Sequence, residues 1–301
     1  MTVNEARQKI LHELKDIYEI SEALNVADMV LEKVTGHTRT EQIVHNEIFL
    51  SPDEIENLKK IIVRLKNNEP VQYALEEAWF AKTKLKVNKN VLIPRPETEE
   101  LVDWAVKDIN AQYSMPVRPG HPGGLNVQCS ILDIGTGSGC IPIAIKKKLP
   151  KAEVSAIEVC SEAIFTATEN AAAAETEIEF ILLDFLDETK WNKLGKYNII
   201  ISNPPYVMQK EKASMQEKVI AHEPHLALFV PDDDSLLFYR KLADFSLFHL
   251  KPGGKLFVEI NESLGNDVVN LFRSKGFDKI ELRKDMQGKD RMVRGIISSE
   301  L

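Results

Sequence analysis

Ser130-Ile-Leu-Asp-Ile-Gly-Thr-Gly-Ser-Gly-Cys-Ile141 decides the fold. An apolar strand-like run enters a glycine-rich turn and leaves it as a helix. Gly135, Gly137 and Gly139 permit positive φ and let a ligand approach the backbone closely. The spacing is G-x-G-x-G and departs from the dinucleotide pattern G-x-G-x-x-G. Taken alone, such a loop is also what a plain tight turn would look like. Outward from it, strands and helices alternate from residue 129: βαβαβ, then βαβ, then a last β pair near residues 279–283 and 291–297. That alternation predicts an α/β, doubly wound sheet covered on both faces, with a ligand at the carboxyl ends of its strands.

Those strand ends carry chemistry. Glu153-Val-Ser-Ala-Ile157 ends in Glu158, whose carboxylate can take both hydroxyls of a ribose. A solvated strand end is the plainer alternative. Ile178-Glu-Phe-Ile-Leu-Leu183 ends in Asp184 and Phe185, placed to meet an adenine, although Phe185 could instead be core. Asp133 could hold the glycine loop or face a cationic amino group. A fourth run, Tyr197-Asn-Ile-Ile-Ile201, delivers Ser202-Asn-Pro-Pro-Tyr206. Proline fixes φ and has no N–H, so the backbone at Pro204 and Pro205 presents carbonyls without competing donors. Asn203 adds an acceptor oxygen on a short arm, and Tyr206 a flat aromatic face. Asn before proline is also a common turn former. Two acceptors beside an aromatic plane suit a planar –NH2 group, either an amide or the exocyclic amine of a base. Such a nitrogen is a poor nucleophile because its lone pair is delocalised. An enzyme that alkylates it must hold it by its hydrogens and turn the lone pair toward the electrophile. The strand ends together suit S-adenosylmethionine, with its sulfonium methyl toward Asn203.

The paired motifs Asp133-Ile-Gly-Thr-Gly-Ser-Gly139 and Ser202-Asn-Pro-Pro-Tyr206 resemble the HemK/PrmC family, the S-adenosylmethionine-dependent N5-glutamine methyltransferases of peptide-chain release factors. Leu92-Ile-Pro-Arg-Pro-Glu-Thr-Glu-Glu100, Glu223-Pro224, Ala227-Leu228, Tyr239-Arg240 and Asp285-Met-Gln-Gly-Lys-Asp-Arg291 extend the match over most of the chain. The resemblance implies a class I methyltransferase, Rossmann-like, with an N-terminal helical bundle and a β-hairpin linker. It implies catalysis by Asn203, Pro204, Pro205 and Tyr206. S-Adenosyl-L-methionine, leaving as S-adenosyl-L-homocysteine, would be held by Asp133, Gly135, Thr136, Gly137, Ser138, Gly139, Glu158, Asp184, Phe185 and Asn203, without metal. The implied partners are class I release factors, methylated in their Gly-Gly-Gln motif. Three positions depart from the family pattern. Glu76, in Gln72-Tyr73-Ala74-Leu75-Glu76, replaces a turn glycine; Cys160-Ser161 replaces Ser-Pro after the second strand; Asn261 replaces a glycine after Glu259-Ile260.

Residues 1–70 read as a helical substrate-recognition domain. Val3, Ala6, Ile10, Leu14, Ile17 and Tyr18 recur at helical spacing. Ser21 is expected to cap a second helix that Gly36 ends. Leu50-Ser-Pro-Asp-Glu-Ile55 is a helix start: Ser51 caps, Pro52 takes the first turn, Glu54 completes a capping box, and Leu50 with Ile55 forms a staple. Residues 71–93 are expected to be a β-hairpin linker and 94–301 the methyltransferase domain, opened by a helix over 96–109. Residues 114–124, rich in Pro and Gly, predict an exposed loop and look like an insertion. Arg118 or His121 there could serve a partner contact.

The chain has 301 residues, 44% hydrophobic and 28% charged, with a net charge of −8. Its length suggests two domains. The acidic balance argues against affinity built on many phosphate contacts. It therefore speaks against the rival reading, a nucleic-acid adenine or guanine amino-methyltransferase, and no direct nucleic-acid binding is expected. A second rival, a non-catalytic S-adenosylmethionine-binding protein, has no use for Asn203-Pro-Pro-Tyr206. Cys129, Cys140 and Cys160 lack C-x-x-C spacing and read as reduced thiols of a cytoplasmic protein. No signal-peptide core or membrane-length apolar run is seen. His222 and His225 have no further ligand set, so a loop fixed by Pro224 is favoured over a metal site. Lys146-Lys-Lys148 fits a helix C-terminus, and Asp232-Asp-Asp234 fits a cap for a helix over 235–250.

Overall fold

The computed structural model describes residues 1–113 and 129–298. The stretch at 114–124, with Arg118 and His121, lies outside the described residues. The chain divides into two compact units, Met1–Glu77 with Gln216–His222, and Ala78–Met215 with Glu223–Leu301.

The first unit is helical. It contains α1 (Val3–Leu14), α2 (Ile20–Thr35), α3 (Arg39–Val44), α4 (Pro52–Lys66) and α5 (Val71–Leu75). Apolar residues three and four apart give each long helix one buried stripe. Val3, Ala6, Ile10 and Leu14 meet Val26, Val30 and Leu31 of α2 and Leu58, Ile61 and Leu65 of α4 in a single core. Ser51 and Glu54 form the expected capping box at α4: Ser51 N donates to Glu54 at 2.6 Å and Glu54 N to Ser51 Oγ at 3.2 Å. Gly36 ends α2 at φ 72°. Ser21 is not the cap of α2. The Ala23 N–H already bonds the Glu19 carbonyl at 2.8 Å, so the helix starts two residues earlier and Ser21 lies inside its first turn.

The linker differs from expectation at its start. Tyr73, Ala74 and Leu75 are buried in succession, which a strand with alternating faces cannot do. They form the end of α5, and Arg64 of α4 donates to the Tyr73 and Ala74 carbonyls at 2.8 and 3.2 Å. The hairpin is shorter, β1 (Glu77–Phe80) and β2 (Thr83–Lys86).

The second unit continues with α6 (Pro96–Tyr113), β3 (Ser130–Ile134), α7 (Cys140–Lys148), β4 (Glu153–Glu158), α8 (Ser161–Ala173), β5 (Glu179–Leu182), β6 (Tyr197–Ser202) and β7 (Val207–Met208). After α9 (Glu217–His222), which belongs to the first unit, come β8 (Phe229–Val230), α10 (Leu237–His249), β9 (Leu250–Glu259), α11 (Gly265–Ser274), β10 (Asp278–Lys284) and β11 (Asp290–Ile296). The seven-stranded sheet has the order β10-β11-β9-β6-β3-β4-β5. Its β9, β6, β3, β4 and β5 run parallel, and β11 pairs antiparallel with both β9 and β10.

Alternate residues of the central strands enter two separate cores. Ile131, Ile199, Ile201 and Phe257 pack with Leu101, Ile109 and Ile145 on one face. Leu132, Ile134, Ile200 and Val258 pack with Leu242, Phe245 and Phe272 on the other. This two-sided burial is why these strands read as unbroken apolar runs. The aspartates before α10 do not cap it. The N-cap is Leu236; Asp232 accepts from Lys210 N at 2.9 Å and Asp234 pairs with Arg240.

Candidate active site

The glycine loop leaves the carboxyl end of β3. Gly135 N and Thr136 N both donate to the Ile157 carbonyl of β4, at 3.0 and 3.1 Å. Gly135, Gly137 and Gly139 all have positive φ, at 78°, 53° and 78°. The glycines do different work. A Cβ on Gly139 would sit 3.1 Å from the Ala167 Cβ on α8, whereas one on Gly137 would meet nothing within 4 Å. Gly139 lets two elements pack, and Gly137 faces open space.

Beneath the loop, Asp133 is fully buried, and neither of its carboxylate oxygens has a hydrogen-bond partner. Burial pushes its carboxyl up to about 7; the charge of Glu158 adds to the rise, and the nearby Thr136 hydroxyl holds it back only in part. The buried hydroxyls of Thr136 and Ser138 also lack partners. Three unsatisfied polar groups in one place fit a ligand that brings its own donors, such as an ammonium group. At the end of β4, Glu158 Oε2 accepts from Gly137 N at 3.0 Å, while Oε1 accepts from Val159 N at 2.8 Å and Cys160 N at 3.2 Å. The side chain thereby holds both the loop and the start of α8.

Asp184 accepts from Leu186 N at 3.0 Å, fixing the turn after β5. Phe185 behaves differently from the adenine-facing expectation. Its ring is stacked on Trp191 at 5.5 Å and lies edge-on to Phe245 at 5.6 Å, within the core. Three aromatic rings packed together bury more apolar area than a ring turned to a partly wet pocket.

Asn203 follows β6, whose end is tied to β3 by Ser202 Oγ donating to the Ile134 carbonyl at 2.7 Å. Asn203 Nδ2 donates to Thr98 Oγ1 at 3.0 Å. Thr98 Oγ1 donates to Glu259 Oε2 at 2.7 Å, and the Tyr206 hydroxyl donates to Glu259 Oε1 at 3.0 Å. Glu259, at the end of β9, is 1% exposed. Burial raises its carboxyl above the ordinary range, against the two hydroxyl donors and the nearby Arg291. Burial likewise lifts the Tyr206 hydroxyl well above its usual value. Pro204 is buried and Pro205 half-buried. With Nδ2 committed to Thr98, the Asn203 oxygen is left as the free acceptor of that carboxamide.

Sequence reasoning did not single out Thr98 or Glu259. Both lie within segments matched to the family, and the available signal was a polar residue inside an otherwise apolar or helical context. The frame around them is also polar. Glu223 pairs with Arg95 and accepts from Ile93 N at 3.4 Å. Asn261 needs no glycine geometry, with φ −62°. Its Nδ2 lies 3.3 Å from the Tyr206 carbonyl and 3.2 Å from Glu211 Oε2, so it braces the Asn-Pro-Pro-Tyr turn. Asp285 accepts from Gln287 N, Lys289 N and Arg291 Nε, holding Arg291 toward Glu259 and Tyr206. His225 packs edge-on against Phe229. An open groove of about 940 Å³ lies at the amino-terminal ends of β3 and β4, lined by Ser130, Glu153 and Tyr197, and shares none of these residues.

Comparison with known proteins bears on this arrangement. Residues 5–75 match the family described as PrmC N-terminal domain, and residues 124–227 match the Methyltransferase small domain. The release factor glutamine methyltransferase of Flavobacterium psychrophilum is 38% identical over 98% of this chain and 99% of its own length. That of Bacteroides thetaiotaomicron is 37% identical over 97% of this chain and 99% of its own. Among solved structures, the hMettl16 catalytic domain aligns over 82% of both chains with a TM-score of 0.54 at 14% identity, which is a likeness of fold. Among the described residues, no helix is long and apolar enough to cross a membrane.

Proposed function

The chain belongs to the release factor glutamine methyltransferase family, and on that premise we propose that it methylates the side-chain amide nitrogen of the glutamine in the Gly-Gly-Gln motif of class I release factors. S-Adenosylmethionine supplies the electrophilic methyl when bound and leaves as S-adenosylhomocysteine. The observation that carries the reading is the Asn203 carboxamide, held by Thr98 with its oxygen free beside a diproline turn and the Tyr206 ring.

The residues present fit the cofactor. Asp133, with its unpartnered buried oxygens, would face the amino group, and the backbone from Gly135 to Gly139 would cradle the amino-acid end. Glu158 would exchange its contact with Gly137 N for the ribose hydroxyls, and Asp184 would border the adenine. The Phe185 ring is engaged in the core, so its share would be its backbone.

The chain's own part in the reaction is positioning. Asn203 Oδ1 and the Pro204 carbonyl accept the two amide hydrogens, and Pro205 and Tyr206 pack against the amide plane. The lone pair is then turned out of conjugation toward the methyl. Transfer leaves a positively charged amide nitrogen, acidic enough to give its proton to water without a dedicated base. Catalysis is then mostly orientation and exclusion of water. We assign residues 1–70 to recognition of the protein substrate, 71–93 to the link and 94–301 to methyl transfer.

The test is methyl transfer from S-adenosylmethionine to intact release factor, to the same factor with its motif glutamine replaced by alanine, and to RNA. Incorporation confined to the first is expected. Equal labelling of the first two, or labelling of RNA alone, contradicts the proposal.

A further inference from the structure

We propose that Thr98 and Glu259 are positioning residues that set which end of the Asn203 carboxamide meets the substrate, an inference that rests on the role of Asn203 given above. An asparagine amide has an oxygen and an NH2 of nearly the same size, and only the oxygen can accept a substrate N–H. Turned round, Asn203 would oppose the substrate amide donor to donor. Something must therefore choose the orientation before substrate arrives.

The structure contains that choice as a chain of hydrogen bonds with one direction. Glu259 is a buried carboxylate with an acceptor at each oxygen; Oε1 takes the Tyr206 hydroxyl and Oε2 takes the Thr98 hydroxyl, at 3.0 and 2.7 Å. Thr98 is 2% exposed. Its hydroxyl has one proton, which is spent on Glu259. Toward Asn203 it can offer only a lone pair, so Nδ2 must face it, at 3.0 Å. The Asn203 oxygen is thereby turned away from Thr98 and left for the substrate. Burial raises the Glu259 carboxyl; the two hydroxyl donors and Arg291, held by Asp285, oppose that rise and favour the ionised carboxylate on which this direction depends. The same carboxylate orients Tyr206, so both substrate-facing groups of the turn refer to one buried atom pair. Neither Thr98 nor Glu259 needs to touch substrate or cofactor.

A directional role and a merely structural one respond differently to substitution at Thr98. Thr98→Val keeps the shape and removes the acceptor, so Asn203 loses its preference between two orientations. Thr98→Ser keeps the hydroxyl. With full-length enzyme and intact release factor, kcat of Thr98→Val should fall roughly tenfold or more, as when a preorganised polar group loses its geometry. Its affinity for S-adenosylmethionine and its KM for release factor should stay within about twofold, and Thr98→Ser should restore kcat to within about threefold of wild type. In wild-type enzyme labelled with nitrogen-15, one Asn203 side-chain proton should exchange slowly with solvent, its resonance assigned by its loss in Asn203→Asp. That measurement stands even where Thr98→Val fails to fold. The proposal is overturned if Thr98→Val keeps wild-type kcat while Asn203→Ala does not, or if both Asn203 amide protons exchange as freely as exposed ones. Failure of the wild type to methylate release factor would instead remove the functional reading on which it rests.

Discussion

Asp133 sits at the end of a buried strand without a hydrogen-bond partner, an arrangement that costs folding free energy once the carboxyl ionises. Its folded-state value is raised from 3.8 to about 7. The folded chain therefore holds a proton that the unfolded chain has released. The stability this gives is full below pH about 4 and is lost as pH rises through about 7. Asp133→Asn should flatten that part of the ligand-free stability curve, measured by urea unfolding across this range; an unchanged slope would show that Asp133 does not titrate there. A cofactor ammonium facing Asp133, as proposed, would favour the ionised form, so S-adenosylmethionine affinity should then rise from pH 6 to pH 8 in wild type, by titration calorimetry, and lose most of that rise in Asp133→Asn. Asn203 answers to a different measurement. Asn203→Ala should lower turnover by about 100-fold or more, with cofactor affinity changed far less. Single-turnover methylation at the wild-type rate would refute its role.

Secondary structure shows which readings were local and which were not. The strands β3 and β6 were legible because nearly every residue of each contiguous run is buried; β4, with Glu153 exposed, was legible from Val154, Ala156 and Ile157, and the loop from its glycine spacing. Ser21 was misread because the cap of α2 depends on where the preceding turn delivers the chain, which its own sequence does not state. Phe185 stayed open between adenine and core in the sequence because its neighbours Trp191 and Phe245 come from elements whose contact with it only the fold supplies. Thr98 and Glu259 are separated by 161 positions and meet only in the folded unit. The missing turn glycine had a physical consequence that can be measured. Glu76 ends α5 at φ 57°, a left-handed conformation unfavourable to a residue with a Cβ. Its ion pair with Arg64 is exposed and worth little. Glu76→Gly should therefore stabilise the protein by roughly 0.5 kcal/mol, read by chemical denaturation; destabilisation would mean that the pair matters more than the strain. The two loop glycines should also part company. Gly137→Val should lose some stability, because φ 53° strains a β-branched residue. It should still fold, since its Cβ meets no atom within 4 Å, and it should fail to bind S-adenosylmethionine, whose proposed place that side chain would take. Gly139→Ala should lose stability through its contact with Ala167. Unchanged cofactor affinity in the first variant would sink the site assignment.

At the scale of the whole molecule, each unit has a core of its own, one among α1, α2 and α4 and two across the sheet. A lone glutamine side chain is too common a group to specify a substrate, so selection must draw on contacts remote from the methyl. The helical unit offers surface for them, with acidic side chains in excess that suit a protein partner better than nucleic acid. A chain beginning at Ala78 should still bind S-adenosylmethionine and should lose most of its kcat/KM on intact release factor, while its weak activity on a short Gly-Gly-Gln peptide stays similar. Equal proportional losses on both substrates would assign the helices to stability instead. The central claim is that Asn203 and its diproline turn direct a methyl group onto one amide nitrogen. Its most direct test is fragment mass spectrometry of the release-factor peptide containing Gly-Gly-Gln, after incubation with wild type or Asn203→Ala. The account predicts one added methyl, on the glutamine side chain, with wild type and almost none with the variant. A methyl elsewhere in the peptide, or equal modification by both enzymes, would contradict it.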